Sequence, residues 1–358
     1  MSTLKVTNIE NPDGGGVSAK IADVGGGQLS NRNLIINGAM RVAQRATSTT
    51  GVTTNGYHSA DRFKVGMSAM GTYTISQSTD APDGFSNSLK YEVTTADASP
   101  AASDQVALEY RLEGQDLQHL NYGSSSAKSL TLSFWVKSDV TGTYSNELMQ
   151  PDNSFRHYSF SYTINSADTW EHKTVTIAGD ASGVIANDTG EGLLIKWYLG
   201  AGSNFTTGTY STGSWKTRTL ANCVSSSSPN FANTVGNEWY ITGVQLEVGS
   251  VATTFEHRSY GDELHRCQRY YETIDNQWKY DGSTGGSGVT AGYMTYFKVT
   301  KRADSATIAV SSESGSNCGN VAGTTVKGKD GVSVRFEWQT SGVVSRSKSF
   351  ILTVDSEL

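Results

Sequence analysis

The side chains that most often perform catalysis are scattered along this 358-residue chain. No histidine stands in a motif that pairs it with a nucleophile or a metal, and neither a C-x-x-C nor an H-x-x-x-H pair occurs. Carboxylates are numerous enough for a glycosidase pair, but that pair is defined by its separation in space, which a sequence does not give. We therefore expect a protein that is not an enzyme. The six histidines are His58, His119, His157, His172, His257 and His265.

Aromatic residues beside polar ones indicate sugar binding instead. Flat rings stack on pyranose faces, while amides, carboxylates and lysines hydrogen-bond the hydroxyl groups. In the predicted strands Trp135 and Tyr198 fall on the side opposite the core, each near a lysine, and a Gly-punctuated loop at 203–219 adds three more rings. The alternative is that a loop, another subunit or the core covers these rings. The candidate glycan-binding residues are Trp135, Lys196, Tyr198, Phe205, Tyr210, Trp215, Tyr280, Tyr293 and Tyr296.

The composition limits the partners and the compartment. A formal net charge of −6 without a basic cluster argues against a nucleic-acid partner, since phosphate binding needs several cations on one face. No apolar run approaches the length of a membrane span, and the first ten residues lack the features of a signal peptide. Cys223, Cys267 and Cys318 lie far apart, so we expect three free thiols in a protein made in a reducing cytoplasm.

The elements that must position the aromatic residues are β-strands. Glycine, serine and threonine are abundant and proline is scarce, a balance that favours short strands joined by polar turns. Alternating apolar residues predict an all-β protein in which residues 31–259 form a jelly-roll β-sandwich of two antiparallel sheets. In the strand that begins at Glu238, simple alternation places Tyr240, Val244 and Leu246 on one side and Trp239 and Ile241 on the other. The remaining inward sets are centred on 106–112, 130–136, 158–164, 175–177 and 193–199.

Three further segments flank this domain. Residues 1–30 carry a short apolar alternation and two glycine triplets, so they are a flexible tail or, as we favour, an extended arm that attaches to a neighbouring subunit or to the particle. Residues 260–274 are predicted to form a short linking helix with one apolar stripe. This stripe packs on its own domain or meets the same helix of sister subunits on a symmetry axis. Residues 275–358 return to strands and predict a small C-terminal β-domain, the candidate receptor-binding tip. The attachment candidates are Leu4, Val6 and Ile9, and the axis candidates are Leu264, Cys267 and Tyr271.

Five segments in the same order resemble virion proteins of tailed bacteriophages, especially tail fibres and other appendages of marine and cyanobacterial phages. They are NRNLIINGAMRVAQR at 31–45, GYHSADRF at 56–63, SLTLSFWVKS at 129–138, VQLEVG at 244–249, and TTFEHRSYGDEL with CQRYYE at 253–272. The resemblance implies a jelly-roll domain like those of carbohydrate-binding modules, carried on a trimeric virion appendage that is assembled in the host cytoplasm.

The resemblance also implies the partners. These are sister subunits in a homotrimer, other tail or capsid proteins, and host-surface polysaccharide or lipopolysaccharide, without nucleic acid or membrane insertion. We expect a tail fibre that attaches the particle to host glycan. The alternatives are a capsid decoration or tail adaptor protein with a purely architectural role, and a glycan-degrading tailspike.

Jelly-roll modules of this kind often hold a structural Ca2+. The acidic turn at 187–191 (NDTGE) offers oxygen ligands but lacks the alternating acidic spacing of calcium loops. We therefore expect no cofactor, with a structural Ca2+ as the alternative.

Overall fold

The protein is described by a computed structural model that covers residues 31–152, 155–284, 290–339 and 342–358. The chain divides into two compact units, Met1–His257 and Arg258–Leu358. The attachment candidates Leu4, Val6 and Ile9 lie outside the described residues. Within the described ranges, no helix has the length and apolar content needed to span a bilayer.

The first unit contains a six-stranded sheet, which we call the first sheet. Every neighbouring pair in it is antiparallel. Inward residues of this sheet are fully buried, as in Phe134 and Trp239. In spatial order its strands are β1 (Ser48–Val52), β3 (Thr72–Ser78), β4 (Ser88–Thr95), β12 (Glu238–Val248), β6 (Leu130–Ser138) and β9 (Glu171–Ile177).

A second six-stranded sheet, also antiparallel throughout, supplies the other half of the core. Trp197 packs edge-on against Phe134 of the first sheet, with ring centroids 5.9 Å apart. Burial of such alternating apolar faces is the main stabilising contribution in a sandwich. In spatial order the strands are β11 (Trp215–Thr217), β8 (Arg156–Ile164), β7 (Gly142–Gln150), β10 (Glu191–Ala201), β5 (Gln105–Glu113) and β2 (Phe63–Ser68).

The connections between strands confirm the all-β jelly-roll prediction. The chain crosses from one sheet to the other between β1 and β2, β2 and β3, β4 and β5, β5 and β6, β6 and β7, β8 and β9, β9 and β10, and β11 and β12. Such repeated crossing is characteristic of the jelly roll. The trimer remains a prediction from the sequence.

A β-bulge at Gly243 corrects the predicted alternation of β12. Thr242 lies opposite Trp135 and Gln245 lies opposite Ser133, so the chain gains a residue between them. Gly243 has a φ of 61°, a left-handed conformation that favours glycine. As a result Trp239 and Ile241 share the core side with Val244 and Leu246, which the sequence had placed on opposite sides.

We expect Gly243→Ala to lower the free energy of unfolding by about 2–3 kcal/mol. The substitution combines a left-handed backbone with a Cβ atom that would lie 2.7 Å from Phe85 Cζ and 3.0 Å from Trp135 Cδ1. Urea denaturation followed by tryptophan fluorescence measures the change. Gly84→Ala is the matched control, because Gly84 also has a positive φ but no atom within 4 Å of the added methyl group. Equal losses in the two variants would contradict the steric part of this explanation.

Among its described residues, the second unit contains one α-helix and two three-stranded sheets. This helix, α1 (Tyr260–Gln268), is capped by the Ser259 hydroxyl, which accepts a hydrogen bond from Asp262 N at 3.1 Å. The sheets share a small apolar core that includes Val332, Val334 and Leu352. The strands are β13 (Tyr271–Thr284), β18 (Gly342–Asp355) and β15 (Thr307–Ser316) in one sheet, and β14 (Thr290–Tyr296), β17 (Gly331–Trp338) and β16 (Cys318–Val326) in the other.

Helix α1 is shorter than the predicted helix at 260–274, because β13 begins at Tyr271. The end of the helix is fixed by Lys301, whose ammonium donates to the carbonyl of Gln268 and pairs with Glu272 at 2.7 Å. Of the three predicted axis residues, Cys267 is fully buried and Tyr271 belongs to a strand, while Leu264 is half-buried on the helix. The proposed helical stripe on a symmetry axis is therefore reduced to Leu264.

Candidate functional site

Aromatic and polar side chains cover the outward side of the first sheet. Trp135 on β6 lies directly opposite His172 on β9, and the two ring centroids are 5.1 Å apart. Trp170, two residues before His172, lies on the same side and packs edge-on against Tyr240 at 6.1 Å. We call this surface the aromatic face, and it comprises Asp80, Phe85, Trp135, Lys137, Trp170, His172, Tyr240, Phe255 and His257.

Trp170 is held in place by a hydrogen bond and an ion pair. Its Nε1 donates to Asp80 Oδ1 at 3.0 Å, and Asp80 also pairs with Lys137. The Lys137 ammonium lies 4.4 Å from the centre of the Tyr240 ring and 5.7 Å from that of Trp170. Burial alone would raise the pKa of Asp80, but hydrogen bonds from Lys137 and Trp170 outweigh it and lower that pKa. A carboxylate and an ammonium thus border the Trp170 ring.

A second aromatic group continues the surface past Trp135. Phe85 packs edge-on against Phe255 at 5.0 Å, and His257 lies 5.3 Å from Phe85 and 4.8 Å from Phe255. The absence of a side chain at Gly243 leaves the space that Phe85 and Trp135 occupy. The bulge therefore shapes the aromatic face as well as the core.

The rings of this face are partly open to solvent. Trp135, Trp170 and Phe85 are half-buried, while Tyr240 is 6% exposed and serves as support beneath Lys137. Tyr240 in turn donates to Glu238 Oε2 at 2.5 Å, and Lys90 pairs with Glu238 at 2.5 Å and with Glu92 at 2.9 Å. A fixed, half-open pair of indole rings bordered by donors and acceptors can stack on sugar rings and hydrogen-bond their hydroxyls.

The outward side of the second sheet is covered, which corrects the expectation of an exposed ring at Tyr198. The segment at 202–224 lies over it, and Tyr198 packs there with Phe205, Cys223 and Val224. Tyr198 is 1% exposed and Phe205 is 5% exposed, so neither offers a free face to a ligand. Lys196 is buried beside them, 2.9 Å from Gln105 Oε1 and 3.3 Å from Glu109 Oε1.

Beneath this segment, Glu147 gathers a buried network of hydrogen bonds. Arg218 Nη2 lies 2.9 Å from Glu147 Oε1, Tyr198 donates to the same oxygen at 2.6 Å, and His157 Nδ1 lies 2.8 Å from Oε2. Burial alone would raise the pKa of Glu147, but the bonds from His157 and Arg218 outweigh it and lower that pKa to about 2. Burial together with the nearby Glu147 raises the pKa of Cys223 to about 12, so this thiol is a poor nucleophile.

Glu147, His157 and Cys223 place ligand atoms within 4.8 Å of one another, as a metal site requires. The spacing of these residues along the chain does not indicate this grouping. Arg218 already supplies positive charge to Glu147, so a metal ion would face a guanidinium group. We interpret the group as a hydrogen-bonded network that holds the covering segment. All three cysteines are free, as predicted, and all three are buried.

The other candidates from the sequence are not among the residues of the aromatic face. Trp215, on the short edge strand β11, donates from Nε1 to Ala178 O at 2.6 Å and packs against Tyr122 and Tyr158, so its ring joins the second sheet to the segment that follows β9. Tyr210 is half-buried and donates to the carbonyl of Phe160. In the second unit Tyr293 packs on the core, Tyr296 is 72% exposed, and the side chain of Tyr280 lies outside the described residues. In the acidic turn, Asp188 Oδ1 accepts from Gly190 N at 2.8 Å.

Comparison with known proteins gives no family: no family model and no curated protein matches this chain. Among solved structures, the enzymatically active domain of bacteriophage CBA120 tailspike protein 4 is 14% identical, with 60% of this chain and 21% of that chain covered and a TM-score of 0.33. The family 11 carbohydrate-binding module from Clostridium thermocellum is 10% identical, with coverages of 58% and 99% and a TM-score of 0.28. A xylan-binding domain from CBM 22 is 11% identical, with coverages of 57% and 99% and a TM-score of 0.30. These values identify no residue of this chain and assign it no activity.

Sequence reasoning found Trp135 but missed Trp170, Asp80 and Phe85. The alternation of β9 could have identified Trp170, because every second residue of a strand lies on the same side. Thr176 is outward, so His172 and then Trp170 are outward as well. Asp80 and Phe85 lie in the connection between β3 and β4, where no periodicity predicts a position. Their role follows from contacts between residues far apart in the chain.

Proposed function

We propose that this chain is a virion protein of a tailed phage, a tail fibre that attaches the particle to host-surface glycan through the aromatic face. The observation that carries the binding proposal is the pair of half-open indole rings, Trp135 and Trp170, beside Asp80, Lys137 and His172. The assignment to a virion rests on the five sequence segments shared with phage appendage proteins.

The physical basis is a prearranged surface. Trp170 is already fixed by Asp80 and Lys137, so little side-chain freedom is lost when a sugar ring stacks on it. A carboxylate accepts hydrogen bonds and an ammonium donates them, which matches the two-way hydrogen bonding of sugar hydroxyls. Each such contact is weak, and a trimer would present three copies to a repeating polysaccharide and raise the avidity.

The test is retention of the purified full chain in gels that contain lipopolysaccharide or capsular polysaccharide from a panel of bacteria. For a polysaccharide that retains the wild type, Trp170→Ala should weaken binding by about 30-fold, or about 2 kcal/mol, because a stacked tryptophan is typical of a binding hot spot. Phe155→Ala is the control, since Phe155 is 55% exposed and immediately precedes β8 of the second sheet. Equal retention of the two variants contradicts the assignment to the aromatic face.

Two further outcomes would favour the alternatives. Release of new reducing ends from a retained polysaccharide would identify a glycan-degrading tailspike. Antibody labelling of the capsid in intact particles, with no retention on any glycan, would identify an architectural protein.

A further inference from the structure

A cavity of about 340 Å³ opens in the first unit, and none of its lining residues belongs to the aromatic face. Its walls come from a 3-10 helix (Gly114–Leu120), the turn that follows it, and residues 184–185 in the connection from β9 to β10. This volume lies within the ~300–1,000 Å³ that is typical of small-molecule sites in proteins.

The walls are tied together by hydrogen bonds between distant segments. Gln118 Nε2 lies 2.9 Å from Gly114 O, 3.3 Å from Ile185 O and 3.2 Å from Ala186 O. Gly123 N donates to Asp180 O at 2.8 Å. At Gly123, whose φ is 85°, an added Cβ would lie 2.4 Å from Val184 Cγ2, so the turn and the opposite wall are in close contact. The cavity is therefore formed before any ligand arrives.

The lining combines neutral polar groups with apolar ones. The Asn121 amide and the hydroxyls of Ser124 and Ser126 supply donors and acceptors, and Leu117, Val184 and Ile185 supply apolar surface. The Asn121 side chain is exposed and makes no hydrogen bond to any residue that the structure describes. None of the eight side chains that line the cavity is charged.

We propose that this cavity binds one neutral sugar residue, as a second site separate from the aromatic face. Amides and hydroxyls match the hydroxyl groups of a sugar, and Leu117, Val184 and Ile185 match the C–H face of its ring. An ionised sugar would lose hydration here without meeting an opposite charge. The existence of the site rests on the cavity, and the choice of a sugar over other neutral polar molecules rests on the proposed function.

The test uses the full chain and the methyl glycosides of glucose, galactose, mannose and N-acetylglucosamine, with methyl glucuronide as a charged probe. Saturation-transfer NMR and calorimetry should find at least one neutral glycoside that binds with a Kd on the order of 1 mM, as expected for a ligand of this size. Asn121→Gly, which keeps the left-handed backbone and removes the amide, should weaken binding at least about five-fold. Val184→Trp, at a position that is 59% exposed, should fill the mouth and abolish it.

Val235→Ala serves as the control, because Val235 is 60% exposed and belongs neither to the cavity nor to the aromatic face, and it should bind the glycoside as the wild type does. The proposal is overturned if no neutral glycoside binds saturably, if methyl glucuronide binds more tightly, if both cavity variants bind normally, or if Val235→Ala loses the glycoside. Polysaccharide retention is measured in parallel on the same variants. If the wild type is retained by polysaccharide but binds no glycoside, only the cavity site is rejected. If glycoside binds but variants at Trp135 and Trp170 are retained as the wild type is, only the aromatic face is rejected.

Discussion

Replacing Arg218 by methionine should lower the free energy of unfolding by about 3–5 kcal/mol. The substitution leaves Glu147, whose side chain is 0% exposed, without the cation that neutralises it. His157 and Tyr198 still bond the carboxylate, but they supply no permanent positive charge. Urea denaturation followed by tryptophan fluorescence is suitable, because five of the seven tryptophans belong to the first unit.

Two variants make this prediction specific. Lys173→Met removes a cation from a half-buried pair with Glu171 on the strand at the edge of the first sheet, and it should cost less than about 1 kcal/mol. Arg218→Met combined with Glu147→Gln removes both charges and should recover part of the loss. If the single Arg218→Met variant is as stable as Lys173→Met, Arg218 does not stabilise the buried Glu147 carboxylate as described.

The same carboxylate predicts how stability depends on acid. The pKa of Glu147 is lowered from 4.5 to about 2 in the folded protein, so its contribution is fully present above pH 4.5 and is lost as the pH falls towards 2. The contribution amounts to about 3 kcal/mol. Denaturation midpoints measured between pH 6 and 2 should fall less steeply in Glu147→Gln than in the wild type. If the midpoints of the two proteins fall in parallel as the pH is lowered, the loss of stability in acid does not come from Glu147.

Removing both rings of the aromatic face should nearly abolish polysaccharide binding. Each ring contributes about 2 kcal/mol by the reasoning for a binding hot spot, and two ligand contacts that act independently add. Trp135→Ala with Trp170→Ala should therefore weaken binding by about 1,000-fold, to below detection in affinity gels.

A fold control and a partner control accompany the double variant. Its thermal unfolding should stay cooperative, because both rings are half-buried on the outward side and neither belongs to the apolar core. Asp80→Asn tests the support of Trp170: the amide still accepts from Nε1 but loses the ion pair with Lys137, so the loss of affinity should be smaller than for Trp170→Ala. A double variant that binds as tightly as the wild type would place the glycan site elsewhere.

The sequence predicted the sheets well because burial in a sandwich imposes a period of two on the side chains. It placed Phe134, Trp197 and Ile195 on the core side, where they are fully buried. The prediction for β12 was wrong after Thr242. One glycine in a left-handed conformation changes which side of the sheet the later residues face, and the pattern of apolar residues does not reveal this change.

The candidate site was less predictable because it depends on contacts between distant segments. The alternation correctly placed Tyr198 on the side of its strand opposite the core. The segment that covers this ring, however, lies in a loop whose path no local pattern determines. The partners of Glu147 come from two other strands and from that loop. The alternation of β9 could have predicted the outward position of Trp170, but it could not have predicted the hydrogen bond from Trp170 to Asp80.

The most direct test of glycan binding by the aromatic face follows the seven indole N–H signals by NMR while oligosaccharide from a retained polysaccharide is added. Single Trp→Phe variants assign the signals. The signals of Trp135 and Trp170 should shift in a saturable way with the same Kd, while those of the fully buried Trp197 and Trp239 stay in place. Saturable shifts confined to Trp215 or Trp278, with Trp135 and Trp170 unmoved, would contradict the proposed site.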